Sequence, residues 1–204
     1  MDDIRSLLPW LDIAGLAVFA VSGTLVAVRK RVDLIGVCFF ALVTAVGGGT
    51  LRDLLIDAPV FWMHDSMPII LSVVIAVAAW LVPLRWWPER AFEWFDAAGL
   101  AAYSVYGANK AMLFGVSPVS AVAAGVITAC LGGVIRDVTI GVPSILMRHE
   151  LYVTTSLVGA GLFVGLDQLG LPAPWPAALG VLAGFSLRGA AIRWKLHLPA
   201  HRGS

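Results

Sequence analysis

Two hexapeptides carry the residues most able to do chemistry in this chain: Gly48-Gly49-Thr50-Leu51-Arg52-Asp53 and Gly132-Gly133-Val134-Ile135-Arg136-Asp137. Each lies in a stretch apolar enough to cross a bilayer. An arginine or aspartate at the bilayer centre costs about 2.5–3.5 kcal/mol, and a glycine weakens a helix by roughly 1 kcal/mol. Placing both twice, at matching positions, points to charge chemistry rather than bond-making: ion pairs that lock helices, or charges that line or gate an ion path. Neighbouring residues point about 100° apart on a helix. The expected pairing is therefore crosswise, Arg52 with Asp137 and Arg136 with Asp53, each pair offsetting the cost of burying its members.

Further polar residues fall in apolar stretches nearby. One stretch holds Tyr103, Ser104, Tyr106, Asn109 and Lys110; another holds Ser22 and Thr24. Lys110 either snorkels to the membrane surface or projects into a cavity and sets selectivity or gating. The glycines Gly47, Gly48 and Gly49, with Gly132 and Gly133, favour a kinked or unwound turn, whose freed backbone groups would have to line a cavity. Close helix packing is the other reading. Arg52, Asp53, Lys110, Arg136, Asp137, Asn109, Tyr103 and Thr24 are the candidate pore and gate residues. An enzyme is not expected. There is no phosphate-binding loop, no Ser/His/Asp arrangement, and no metal site, since His149-Glu150 lacks a second helical histidine. Cys38 and Cys130 read as small buried residues.

The elements that position these groups follow from hydropathy. Of 204 residues, 59% are hydrophobic and 13% charged, against about 25% charged in soluble domains, and the mean hydropathy is +0.88. The chain is therefore expected to be an all-α integral membrane protein. A net charge of +1 without a basic run argues against nucleic-acid binding. Asp2 and Asp3 at the start argue against a signal peptide. Seven stretches approach the roughly 20 residues a crossing needs: near 9–28, 33–57, 66–84, 95–114, 117–141, 150–168 and 175–192. Trp10, Trp62, Trp80, Trp86, Trp87, Trp94 and Trp175 lie near span ends, as interfacial tryptophans do. One side of the membrane collects Arg29, Lys30, Arg31, Arg85, Arg90, Arg148, Arg193, Lys195 and Arg202; the other holds only Arg5. This predicts an external N-terminus and a cytoplasmic C-terminus.

The chain also repeats itself. Displaced by 84 residues, Asp12–Met63 aligns with Asp96–Met147 without a gap and with about a third of positions identical. Gly15 meets Gly99, Thr44 meets Thr128, Arg52 meets Arg136 and Pro59 meets Pro143. Residues 1–204 then form one membrane domain: a first repeat at 9–84, a second at 95–168 and a seventh span at 175–192. Three spans per unit make the second copy inverted, an arrangement typical of transport proteins. Gly161/Gly165 and Gly180/Gly184 are small-xxx-small pairs suited to close helix approach.

With its seven spans, inverted repeats and doubled Gly-Gly-x-x-Arg-Asp, the sequence resembles the trimeric intracellular cation (TRIC) channels in their prokaryotic branch, over nearly the whole chain. The resemblance implies a homotrimer in which each protomer encloses a pore for K+ and, less well, Na+. It places the pore between the repeats, along spans 1, 2, 4 and 5, with kinks at Gly47 to Gly49 and Gly132-Gly133. It implies no cofactor beyond the permeant ions, with membrane lipid around the protein and as a bound ligand. The Lys-Glu-Val motif by which animal members bind phosphoinositide does not occur, which points to a prokaryotic inner membrane. The family's repeat has also been labelled glycine-transporter-like. A secondary transporter of a small zwitterion such as glycine is the alternative, with Arg and Asp holding its carboxylate and ammonium.

Overall fold

A computed structural model describes residues 2–148 and 151–197. His149, Glu150 and Arg202 lie outside the described residues. Among those described, the helices are α1 (Asp2–Arg29), α2 (Leu34–Leu55), α3 (Phe61–His64), α4 (Met67–Leu81), α5 (Ala91–Leu113), α6 (Pro118–Thr139), α7 (Val153–Gln168) and α8 (Trp175–Trp194). Leu84–Trp86 and Ile145–Arg148 form 3-10 turns. Each predicted span holds one helix, of 15 to 28 residues, and the protein is an all-helical, multi-pass membrane protein. Length and composition alone qualify four helices to cross: Trp10–Arg29 of α1, α2, α6 and α8. The 15 residues of α4 extend about 22 Å, short of a roughly 30 Å hydrocarbon core. The longer α5 carries Glu93, Asp96 and Lys110.

Local signals set the helix ends, and they recur at the 84-residue displacement. Asp33 caps α2 by accepting from Gly36 N at 2.8 Å, while α6 starts on Pro118, a favoured first-turn residue. Beyond α5 and α6, Gly115 and Gly141 turn left-handed with φ of 80° and 72°. The matching positions beyond α1 and α2 are Arg31 and Asp57, at 58° and 53°. These four ends close alike: Val32 N bonds Ala27 O and Val116 N bonds Ala111 O, as Ala58 N bonds Asp53 O and Val142 N bonds Asp137 O. Only glycine adopts that backbone without steric cost.

The core forms where α1 packs on α5 and α2 crosses α6. A Cβ at Gly15 would lie 2.6 Å from the Tyr103 ring, and one at Gly99 would lie 2.8 Å from the Phe19 ring. At the crossing, Gly48 faces the Thr128 carbonyl and Gly132 faces the Thr44 carbonyl, each so closely that a Cβ would collide with it. Both helices continue unbroken through their glycines. The expected unwound turn is thus replaced by close packing: a hydrogen atom in place of a side chain admits the facing carbonyl while the helical hydrogen bonds persist. In the last helices, Gly180 packs on Gly159 and Gly184 packs on Thr155. Gly161 and Gly165 face open space, so that pair does not serve helix approach within the protomer.

Candidate functional site

Two buried charge clusters flank the glycine crossing. In the first, Arg52 at the end of α2 donates from Nε to Asp53 Oδ1 at 2.9 Å, and its Nη2 lies 2.8 Å from the same oxygen. Lys110 of α5 reaches both carboxylate oxygens of Asp53, at 2.9 and 3.0 Å. Phe61 N, at the start of α3, donates to Oδ2 at 3.1 Å. The Arg52 guanidinium stands over the Tyr106 ring at 5.3 Å, and the Tyr103 hydroxyl donates to the Asp12 backbone carbonyl of α1 at 3.4 Å.

The second cluster repeats this core with different neighbours. Arg136 donates from Nε to Asp137 Oδ1 at 2.9 Å, with Nη2 at 2.8 Å. Ile145 N donates to Asp137 Oδ2 at 3.0 Å, as Phe61 N does 84 residues earlier. Arg136 Nη1 also donates to Ser22 Oγ at 2.7 Å and to Asp96 Oδ1 at 3.2 Å. Tyr152 stands beside this group, with its hydroxyl against Gly133, and the Arg188 guanidinium of α8 lies over the Tyr152 ring at 5.2 Å.

The crosswise pairing of Arg52 with Asp137 and of Arg136 with Asp53 does not occur. Each arginine pairs with its own sequence neighbour. The 100° separation holds for the Cα–Cβ bonds, but the arginine stem is long enough to swing the guanidinium round onto the adjacent carboxylate. A backbone N–H fixes the other oxygen of that carboxylate.

A family model described as "Glycine transporter" matches the chain twice, at residues 9–84 and 93–168. The inner membrane protein YadS of Escherichia coli K12 is 39% identical over 196 residues, covering 93% of this chain and 94% of YadS. The solved TRIC orthologue of Rhodobacter sphaeroides superimposes with a TM-score of 0.87 at 39% identity, over 94% of this chain and 100% of that one. This chain belongs to the TRIC family. A prokaryotic TRIC channel solved in 0.5 M KCl is as similar in fold, with a TM-score of 0.87 at 26% identity over 95% of this chain.

Two cavities approach the clusters of this TRIC protein. One of about 350 Å³ is lined by Asp12, Ile13, Leu16, Phe61, Asp65, Met67 and Pro68, and reaches the first cluster at Asp12 and Phe61. Another, of about 170 Å³, is lined by Val26, Arg29, Lys30, Phe92, Arg136, Asp137, Val142 and Ile145. Asp12 and Val26 mark their positions along α1, about 21 Å apart at 1.5 Å per residue. Buried Phe19, Ala20 and Tyr103 lie in the interval.

Of the candidate pore residues, Arg52, Asp53 and Lys110 meet in one cluster, with Tyr103 beside Asp12, and Arg136 and Asp137 meet in the other. Asn109 is buried next to Lys110 in α5. Thr24 instead donates to Ala20 O of its own helix, at 2.9 Å. Lys110 does not snorkel: its side chain is 16% exposed and sits on Asp53. Sequence reasoning passed over Asp12, Asp96, Tyr152 and Arg188. Asp12 and Asp96 open the aligned repeat, and Arg188 is an arginine within an apolar span, so both signals were present.

Proposed function

We propose that this protein is a monovalent cation channel of the prokaryotic inner membrane, conducting K+ and Na+. A homotrimer carries one path per protomer, bounded by α1, α2, α5 and α6. The N-terminus lies outside and the C-terminus in the cytoplasm. The observation that carries this reading is the placing of two cavities along α1, each reaching a buried Arg-Asp cluster, with packed side chains between them. That is the form of a closed passage with a charged cluster at each end. The fold shared with solved TRIC channels supports it.

The arginines do not oppose cation passage, because each is neutralised by its neighbouring aspartate. Lys110 is the partly exposed cation of the first cluster. Its withdrawal leaves Asp12, Arg52 and Asp53 with one net negative charge beside a cavity, which favours a cation. A charge moved through the membrane field contributes about 2.3 kcal/mol per 100 mV, so Lys110 gives the gate a voltage dependence. The close crossing of α2 and α6 at Gly48 and Gly132 holds the two halves together, and lipid surrounds the trimer.

Bilayer recording of the reconstituted protein in asymmetric KCl tests the reading. Discrete current steps reversing near the K+ equilibrium potential are expected. Silence at all voltages with intact trimers in the membrane, together with saturable uptake of labelled glycine, would replace it with the transporter reading.

A further inference from the structure

Residues that recur every three to four positions share one face of a helix. On α1, Asp12, Leu16, Phe19, Gly23 and Val26 stand at that spacing, within about 40° of one line at 3.6 residues per turn. This face joins the two cavities: Asp12 and Leu16 line the first and Val26 lines the second. Displaced by 84 residues, the same face of α5 carries Asp96, Leu100, Tyr103, Gly107 and Lys110. It runs between the clusters in the opposite sense, from Asp96 on Arg136 to Lys110 on Asp53. Phe19 and Tyr103 are therefore the midpoints of two antiparallel faces, each seven residues from either end.

The two rings meet at that midpoint, with centroids 5.3 Å apart and planes tilted by 57°. Each also lies in a notch left by a glycine of the opposite helix. A Cβ at Gly99 would come within 2.8 Å of the Phe19 ring, and one at Gly15 within 2.6 Å of the Tyr103 ring. The seating is reciprocal, so each helix holds the other's ring, and both rings are buried. Beyond Phe19 the α1 face carries no side chain until Val26, because Gly23 meets the Phe40 carbonyl of α2 instead. The Tyr103 hydroxyl donates to Asp12 O at 3.4 Å, whereas the Phe19 side chain has no polar atom and is held by packing alone. We propose that Phe19 and Tyr103 form an aromatic plug, the side-chain barrier that keeps the two cavities apart. An apolar constriction closes an ion path by excluding water, and the glycine notches hold the rings in the closed position. The inference rests on the channel reading and places its barrier midway between the charged clusters, apart from Lys110.

The test is single-channel recording of the reconstituted full chain carrying F19A, F19L, Y103F or V105A, beside the unmodified protein, in KCl. Val105 is the packing control: it is buried with Phe163 and Val164, on the far face of α5 from Tyr103. F19A is expected to raise open probability about tenfold, equivalent to 1.4 kcal/mol, and F19L to raise it less. Y103F keeps the ring and loses only a long hydroxyl contact, so it should behave as the unmodified protein; a rise equal to that of F19A would move the barrier to the hydrogen bond and overturn the plug. V105A should leave open probability unchanged. A rise there as large as in F19A would mean that any loss of packing opens the path, and would also overturn the plug. Where F19A does not assemble, F19L decides, and an unchanged open probability in it overturns the proposal. Current steps in the unmodified protein with F19A no different remove the plug and leave the channel reading standing. Silence of both at every voltage removes the channel reading and the plug with it.

Discussion

The first and second Arg-Asp clusters share a carboxylate, a guanidinium and a backbone N–H in nearly identical geometry, yet they differ in what lies around that core. The first has the Lys110 amine on Asp53, and Tyr103 and Tyr106 beside Asp12. The second has Val26 and open cavity over Asp137, and binds Arg136 to Ser22 and Asp96 instead. Lys110 is a flexible, partly exposed point charge, whereas Arg136 is wholly enclosed by four polar contacts on three side chains. Duplication preserved the expensive charges and let their surroundings diverge. The first cluster is thus built like a latch, closed by a partly exposed amine, and the second like an anchor, around an enclosed guanidinium.

Removing each arginine in turn challenges that comparison most severely. Arg136→Met strands Asp96 and Asp137 with Ser22 unpaired, and should cost about 3–5 kcal/mol. Arg52→Met leaves Lys110 on Asp53 and should cost clearly less. Denaturation of the two purified variants checks this, and equal losses would erase the distinction between latch and anchor. The glycine crossing is instead expected to treat both repeats alike. Gly48→Ala and Gly132→Ala should each destabilise by about 1–3 kcal/mol through overpacking against a carbonyl. Gly161→Ala, which faces open space, should gain up to about 1 kcal/mol from helix propensity. Thermal unfolding of the three variants measures the contrast. The smallest and most informative change copies the latch onto the second cluster. Val26→Lys places an amine over Asp137 and should lower open probability up to about tenfold, equivalent to 1.4 kcal/mol. Single-channel recording reads it, and an unchanged open probability would show that a lysine there does not close the path.

The sequence carried the helices well because their signals are local: apolar length, Asp33 and Pro118 at helix starts, glycines or glycine substitutes at the ends. The repeat was equally legible, since an ungapped displacement aligns Gly, Arg, Asp and Pro. The site was legible in residue identity but not in pairing. Backbone direction alone suggested that Arg52 and Asp53 could not meet, because side-chain reach and the N–H groups of Phe61 and Ile145 are invisible in a one-dimensional pattern. The role of the glycines was misjudged for a related reason. A Gly-Gly pair looks the same whether it loosens a helix or admits a facing carbonyl, and only the partner helix decides. Arg188 escaped notice because its span was read for small residues, while the ring it lies over, Tyr152, stands 36 positions earlier.

The placing of Lys110 also bears on how the chain is made. Asp12, Arg52 and Asp53 leave the ribosome well before Lys110. The first Arg-Asp group therefore enters the membrane ahead of the lysine that sits on Asp53. The cluster reaches its final form only once α5 has packed against α1.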